Sequence, residues 1–360
     1  MKQLRIAIIG QGRSGRNIHG EHMIKELEKF KIVAIVDPIE ERRIRAEKEY
    51  CCDSYSDYHA LFGRKDIDLV VNATPSYLHV PVTLDLLNKG FNVLCEKPLA
   101  RKVEDVDKLI EASKKSGKLF AIFQEYRYAA HFKQIRKVID SGILGRIVQI
   151  SIAESHFGRR WDWQTVQEYN GGNLQNKGPH HIDQALQLFG TDKMPEITSV
   201  LDRANTYGDA DDYVKIIFKG EGRPIIDVEM SSCNAYPGFS YNIQGTLGGL
   251  MGSTTHLEWK YFVPRESPKQ TLIRTPLSTP EGIPCYCGEK LKFYEAKWDF
   301  PKDGDAFGTM TAEFYEMIYN TFVKKGAKLE VTPEEVRQQI AVIEECLRQN
   351  PLTPFEGAGS

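Results

Sequence analysis

Apolar and polar positions along the first third of the chain alternate in blocks rather than singly. Short apolar runs at 4–9, 32–36, 68–72, 91–95 and 119–123 read as buried strands. Between them, apolar residues recur at helical spacing. The pattern predicts a helix of about four turns after Gly15, ending near Phe30. Further helices are expected over 39–50, near 58–62, over 80–89 with Gly90 as its stop, and over 103–115 closed by Gly117. Strand–helix alternation of this kind builds a doubly wound parallel sheet of Rossmann type.

From about residue 147 the rhythm changes to period two. Segments 147–153, 197–202, 213–218, 225–231 and 241–246 alternate apolar and polar residues, joined by turns such as Gly220-Glu221-Gly222. This predicts a large, open, mostly antiparallel sheet with one face solvated or covered by a partner. Residues 168–189 end as an amphipathic helix, and 264–305 predict a long irregular loop of the lid or binding-loop kind. Two helices close the chain, over 309–325 and from Pro333 to about Arg348. Thr332, Pro333 and Glu335 form the N-cap, first turn and capping box of the last one. The tail from Pro351 predicts fraying. The expected α/β organisation is a nucleotide-binding domain over 1–124 and an α+β domain over 125–360, whose last helices are free to pack back on the first. A length of 360 residues also suggests two domains.

Composition narrows the partners. A net charge of −2 gives no electrostatic case for nucleic acid or an anionic membrane surface. No apolar run approaches the roughly 18–20 residues that a membrane span needs. Seven cysteines without a repeating frame fit a cytoplasmic, reducing setting. Neither Cys51-Cys52 nor Cys285-Tyr286-Cys287 has zinc-type spacing, so no metal site is expected. Arg42, Arg43 and Arg45 stand among glutamates and read as a solvated helix face.

Three stretches carry chemistry. Gly10-Gln11-Gly12-Arg13-Ser14-Gly15 follows a strand and opens a helix, the context in which a G-x-G-x-x-G cradles a pyrophosphate on a helix N-terminus. Asp37, at the end of the second strand, is placed to bind ribose hydroxyls. Its charge repels a 2′-phosphate and no arginine follows it directly, which favours NAD over NADP. Leu94-Cys95-Glu96-Lys97-Pro98-Leu99 sets Lys97 just beyond a strand end, where open parallel sheets bind ligands. Pro98 keeps Lys97 out of helical geometry. The third stretch, from Gly171-Gly172 to His180 and Asp183, spaces Asn176, His180 and Asp183 about one helical turn apart, so that all three share a face.

Taken together, Gly10-x-Gly12-x-x-Gly15, Ala73-Thr74-Pro75 with His79, Glu96-Lys97-Pro98, and Gly171-Gly172…Gly178-x-His180-x-x-Asp183 resemble the glucose–fructose oxidoreductase/inositol dehydrogenase (Gfo/Idh/MocA) family. The resemblance spans nearly the whole chain. It implies NAD(P)-dependent oxidation or reduction of a sugar, cyclitol or derivative, and a homodimer or homotetramer formed through the open sheet. It also implies catalytic roles for Lys97 and His180. Many members carry an aspartate four residues before that histidine; here the position is Asn176. Asparagine exchanges hydrogen bonds but holds neither proton nor charge, which puts a carboxylate-bearing triad in question.

On this reading the cofactor lies against Gly10 to Gly15, Asp37, Thr74, Pro75, His79, Glu96 and Lys97. Nicotinamide C4 exchanges a hydride with a carbinol carbon while Lys97 or His180 takes the hydroxyl proton. Tyr126, Arg127, His156, Arg159, Trp161 and Trp163 are expected on the substrate side, with Asn176, His180 and Asp183, because aromatic faces with charged neighbours suit sugars. Lys177 is expected to be exposed. Two other readings keep the same fold. One is a keto-sugar-forming enzyme that recycles bound NAD, by glycoside oxidation, transhydrogenation or cleavage. The other is a non-catalytic ligand-sensing relative, against which the retention of Lys97 and His180 argues.

Overall fold

A computed structural model describes residues 2–355. β1 (Leu4–Ile9) sits inside a six-stranded parallel sheet and is buried on both faces, which is why it reads as one continuous apolar run. Around it stand β2 (Phe30–Val36), β3 (Asp53–Tyr55), β4 (Leu69–Asn72), β5 (Val93–Cys95) and β6 (Phe120–Ile122), in the order β3-β2-β1-β4-β5-β6. A π-helical turn (Gly15–Gly20) leading into α1 (Glu21–Lys25), then α2 (Glu40–Tyr50), α3 (His79–Asn88) and α4 (Val103–Ser116), make the crossovers.

Two details differ from the sequence expectation. The helix after the glycines stops at Lys25, and Phe30 is the first residue of β2 rather than the end of a helix. A turn closed by Lys29 N–H on the Glu26 carbonyl, 2.9 Å, sends the chain back so that Phe30 pairs with Leu4. β3 has no apolar run at all; the exposed edge of β2 recruits it.

α5 (Ala130–Asp140), an amphipathic helix burying His131, Phe132, Ile135 and Val138 that the pattern reading did not pick out, leads to the second sheet. Its strands are β7 (Ile147–Ser155), β8 (Glu196–Asp202), β9 (Tyr213–Lys219), β10 (Ile225–Ser231), β11 (Tyr241–Gly245), β12 (Gly248–Gly252) and β13 (His256–Phe262). After a two-residue pairing of β14 (Leu277–Ser278) with β15 (Pro284–Cys285), β16 (Phe293–Asp299) completes it. The order is β16-β13-β12-β11-β7-β10-β9-β8, and only β7 and β10 run parallel among these pairs. β16 corrects the expectation of a wholly irregular 264–305: it zips onto β13 from Phe262↔Phe293 to His256↔Asp299. β12, with three glycines in five residues, carries almost no local strand signal and is held by its neighbours.

α6 (Asn173–Asn176) and α7 (Gly178–Phe189) lie on the inner face of this sheet with α9 (Pro333–Gln349). Inward residues such as Ile152, Val214, Ile216, Val228 and Met230 share a core with Ile182, Ile340 and Ile343. α9 starts at the expected capping box: Thr332 Oγ1 accepts from Glu335 N–H at 3.2 Å, and Glu335 accepts from Thr332 N–H at 2.9 Å. It also packs on α4, and α8 (Ala306–Val323) lays Phe314, Tyr315, Ile318 and Tyr319 against Leu4, Ile6, Phe30 and Phe123 of the first sheet. Each such buried side chain is worth roughly 1.5–3 kcal/mol, so α8 is held on the first sheet by a substantial apolar contact.

Residues 351–355 are pinned rather than loose. Phe355 N–H donates to Asp209 at 3.2 Å, and its ring lies 4.6 Å from the Arg203 guanidinium. The remainder of the predicted frayed tail, 356–360, lies outside the described residues. An open groove of about 740 Å³ runs along β11, β12, β13 and β16, lined by Gln244, Met251, Glu258, Lys260 and Lys297 among others, none of them an expected site residue. Among the described residues no helix is long and apolar enough to cross a membrane.

Candidate active site

The glycine loop meets the turn after β4. Gly10 has φ +92°, and a side chain there would run into the Ala73 carbonyl, so only glycine lets the two loops touch. A side chain on Gly15 would strike the Gly10 carbonyl. The space over Gly12 is open, Arg13 is exposed, and Ser14 precedes the first helical turn without capping it through its side chain. Beyond the turn, Thr74 Oγ1 donates to Asn72 Oδ1 at 2.7 Å and Pro75 begins a short 3₁₀ turn. His79 ties this turn to the next loop, its ring nitrogens 2.9 Å from the Thr74 carbonyl and 2.7 Å from the Pro98 carbonyl.

Asp37 is 2% exposed and works as a joint. Its carboxylate accepts from Gln11 N–H at 2.7 Å and from Ile39 N–H at 2.9 Å, fixing the glycine loop to the start of α2. The arginines of α2 are not a solvated face. Arg42 Nη1 lies 3.4 Å from Asp37 Oδ2, Arg43 donates to the Asp37 and Pro38 carbonyls, and Arg45 donates to the Gln11 carbonyl. They converge on the corner expected to hold the ribose, because α2 carries its first turns directly over the end of β2.

At the end of β5, Lys97 is half-buried and its Nζ donates to the Asn176 main-chain carbonyl at 3.0 Å. Glu96 beside it is 4% exposed, and both its oxygens are taken by protein: one by Lys97 N–H at 3.0 Å, the other by His19 Nε2 at 3.0 Å. Glu96 therefore faces inward rather than toward a nucleotide. Burial works against its charge, yet His19 and Lys97 hold its carboxyl below the usual range.

α6 ends at Asn176, a break follows at Lys177, and α7 brings His180 over Tyr126, ring on ring at 4.0 Å and 25°. His180 is 7% exposed, and its Nδ1 is buried with no partner. Burial first, and then the charge of Lys97, push its pKa well below the ordinary value, so the ring is neutral at pH 7. Lys177 is not exposed as expected: its Nζ sits 3.2 Å from Glu154 and 3.3 Å from His156 Nδ1. His181 Nε2 reaches the same Glu154 at 2.6 Å. Although burial would raise it, these neighbours hold Glu154 down at about 2.

Asp183 shares a helix face with His180 but is turned to Arg127. The two pair at 3.0 and 2.5 Å, with Glu335 3.0 Å from the same guanidinium, and both are almost fully buried. This ion pair turns Arg127 and Asp183 toward each other. Arg159 stacks on Tyr207 at 4.6 Å, next to the edge of Trp161, which is 77% exposed; Trp163 is also exposed. Arg159, Trp161 and Trp163 from the loop after β7 and Tyr207 from the connection between β8 and β9 form an aromatic rim. Across the cleft, Tyr77 and Tyr169 approach to 5.3 Å and Arg101 donates to the Gln167 carbonyl at 3.0 Å.

Several groups were missed by the sequence reading. His19 lies one turn past Gly15, a spacing that could have marked it. Glu125, just after β6, is 2% exposed with Oε2 unpartnered; burial, with repulsion from Glu96, lifts its pKa to about 8. Gln124 Oε1 and Gln11 Oε1 are likewise buried without partners. These unpartnered buried polar atoms, the open space over Gly12 and the Asp37 corner fit a dinucleotide laid across the strand ends. Among the described residues no group of His, Cys, Asp and Glu side chains is arranged to hold a metal ion.

Residues 4–124 match the family described as "Oxidoreductase family, NAD-binding Rossmann fold", and residues 132–251 match the GFO/IDH/MocA C-terminal domain. A 2,7-anhydro-N-acetylneuraminate hydratase of Mediterraneibacter gnavus is 27% identical over 291 residues, 76% of each chain. A scyllo-inositol 2-dehydrogenase (NADP(+)) of Bacillus subtilis is 25% identical over 328 residues, covering 88% of this chain and 91% of its own. The fold is shared with the WlbA dehydrogenase of Bordetella pertussis, solved with NADH and UDP-GlcNAcA, at a TM-score of 0.74 and 18% identity over 97% of this chain and 96% of that one.

Proposed function

The chain belongs to the GFO/IDH/MocA family of NAD-binding oxidoreductases, and from that premise we propose that it moves a hydride between NAD and a carbinol or ketone carbon of a sugar, cyclitol or glycoside. The observation that carries this is the 3.0 Å bond from Lys97 Nζ to Asn176, which sets a lysine at the strand ends against the helix pair bearing His180.

When bound, the nicotinamide supplies the hydride exchange; the chain's own groups manage the proton. His180, kept neutral by burial and by Lys97, takes the proton of the substrate hydroxyl. Lys97 spends one donor on Asn176 and has others for the substrate oxygen. The Trp161–Arg159–Tyr207 rim offers flat apolar faces beside charge, the combination that suits a ring of C–H faces and hydroxyls. We assign NAD rather than NADP because Asp37 puts a carboxylate at the ribose corner, where a 2′-phosphate is repelled.

The nucleotide domain is taken as 1–124 and the substrate domain as 125–360, with α8 and α9 lent back to the first. The groove on the outer face of the second sheet is the surface by which copies associate as dimers or tetramers. None of the seven cysteines forms a disulfide, which suits the cytoplasm.

A second reading follows from the hydratase of Mediterraneibacter gnavus, an enzyme named for adding water. The same hydride step can form a keto sugar transiently and return the hydride, leaving the cofactor unchanged. A panel of sugars, inositols and glycosides with NAD, followed at the reduced-nicotinamide band and by product analysis, separates the two. Accumulating NADH supports a dehydrogenase; product without net NADH supports recycling. Failure to bind NAD overturns both.

A further inference from the structure

Glu96 has no task in the chemistry above, yet it is the most heavily engaged carboxylate near Lys97. Oε2 accepts from Lys97 N–H and Oε1 accepts from His19 Nε2, each at 3.0 Å. His19 is fully buried, and its Nδ1 lies 2.7 Å from Tyr315 Oη. A carboxylate can only accept, so Nε2 carries the proton given to Glu96, while Nδ1 shares a hydrogen bond with the Tyr315 hydroxyl. The chain links Tyr315, His19 and Glu96, and ends on the backbone of Lys97.

Each member comes from a different part of the fold. His19 stands on the π-helical turn that begins at Gly15, directly after the glycine loop. The wide π turn, a form found often at functional sites, points the ring inward against Phe123 at 4.7 Å. Tyr315 comes from α8, in the C-terminal part of the chain. The titratable groups facing Glu96 are His19, Lys97, His79, Glu125 and Tyr315. Of these only His19 and the Lys97 backbone donate to it directly.

We propose that His19 is a positioning residue for Lys97, acting through Glu96, and that Tyr315 holds the His19 ring in place for that bond. The cofactor loop and α8 are thereby coupled to Lys97 at the strand ends. This rests on the reading of Lys97 as a site residue, but its test needs no substrate.

The test is the reactivity of Lys97 toward acetic anhydride across a pH series, with NAD present, read at that lysine by peptide mass spectrometry. In His19→Leu the buried carboxylate loses its donor, and the Lys97 labelling midpoint should move by about 0.5 pH unit or more. His19→Gln, whose amide can donate from nearly the same place, should bring it back, while NAD affinity stays within about threefold in both. A purely structural histidine would lower the melting temperature without moving the midpoint. A folded His19→Leu with an unchanged Lys97 midpoint overturns the proposal. Should His19→Leu not fold, Tyr315→Phe decides: a smaller shift in the same direction supports it, and no shift overturns it. Absence of turnover on every carbohydrate, with the midpoint shift present, would remove the proposed chemistry and leave this coupling standing.

Discussion

Lys97 meets Asn176 at its main-chain carbonyl, 3.0 Å from Nζ, and not at its amide side chain. The lysine is thus held whatever residue occupies position 176. Position 176 lies one turn before His180, whose buried Nδ1 has no partner. An aspartate there adds a carboxylate charge within a turn of the imidazole. Asn176→Asp should raise the His180 pKa, since a nearby carboxylate favours the imidazolium, and move the acidic limb of the pH–rate profile upward. A rate gain on the order of tenfold at pH 8–9 is expected on whichever carbohydrate the panel selects. An unchanged profile would show that the site has been rebuilt around asparagine.

Lys97→Ala should cut turnover by about 10³-fold or more while NAD still binds, because nothing in the cofactor corner depends on its side chain. Turnover and fluorescence titration with NAD, side by side, check this; near-normal turnover takes Lys97 out of the mechanism.

Asp37 does more than face a ribose, since it also clamps the Gln11 and Ile39 N–H groups. Asp37→Ala should therefore weaken both nucleotides, NAD more than NADP. With Arg42 and Arg43 left beside the corner, the NAD-to-NADP preference should move by about tenfold toward NADP. Binding constants for both cofactors measure it, and an unmoved ratio sinks the assignment of Asp37.

Glu125 carries a pKa raised to about 8 by burial and by Glu96. Between the ordinary carboxyl value and 8, the folded chain holds a proton that the unfolded chain has lost. Stability therefore falls as pH rises through that window. Glu125→Gln removes the effect: its melting temperature should exceed wild type by at least ~2 °C at pH 8.5 and match it near pH 4.5. Parallel melting curves at both pH values would count against the buried acid.

Asp183→Asn takes the two-pronged carboxylate from the buried Arg127 guanidinium and leaves Glu335, at 3.0 Å, as its remaining carboxylate. Breaking a buried pair outright costs roughly 3–5 kcal/mol, so with Glu335 retained denaturant unfolding should shift by somewhat less than that, about 2 kcal/mol, even with NAD bound. A variant of wild-type stability with impaired substrate affinity would instead return Asp183 to the substrate side.

The parallel sheet was readable from the chain because its strands are buried on both faces and its connections carry their own stops: Gly90 and Gly117 end helices in left-handed geometry. β3, β12 and β16 were not, since each is a strand only through its neighbour: three residues without an apolar run, a glycine-rich pentapeptide, and a mostly exposed segment at the end of a Pro- and Gly-containing stretch. The same division holds at the site. Gly10, Gly12, Asp37, Lys97 and His180 announce themselves by spacing. Glu125, Glu154 and Tyr315 are ordinary residues in sequence, and the inward turn of Arg42, Arg43 and Arg45 runs against their surroundings.

By itself, the order of residues determined the fold class, the glycine cradle and the two side chains expected to do chemistry, because local periodicity, turn preference and motif spacing act over a few residues. Tertiary structure alone decided that Arg127 and Asp183 spend themselves on each other, that Lys177 turns in to Glu154, and that Glu96 answers to His19 and Tyr315. Those outcomes depend on which charges are forced out of water together, and partners as much as 296 positions apart meet only when the chain has closed.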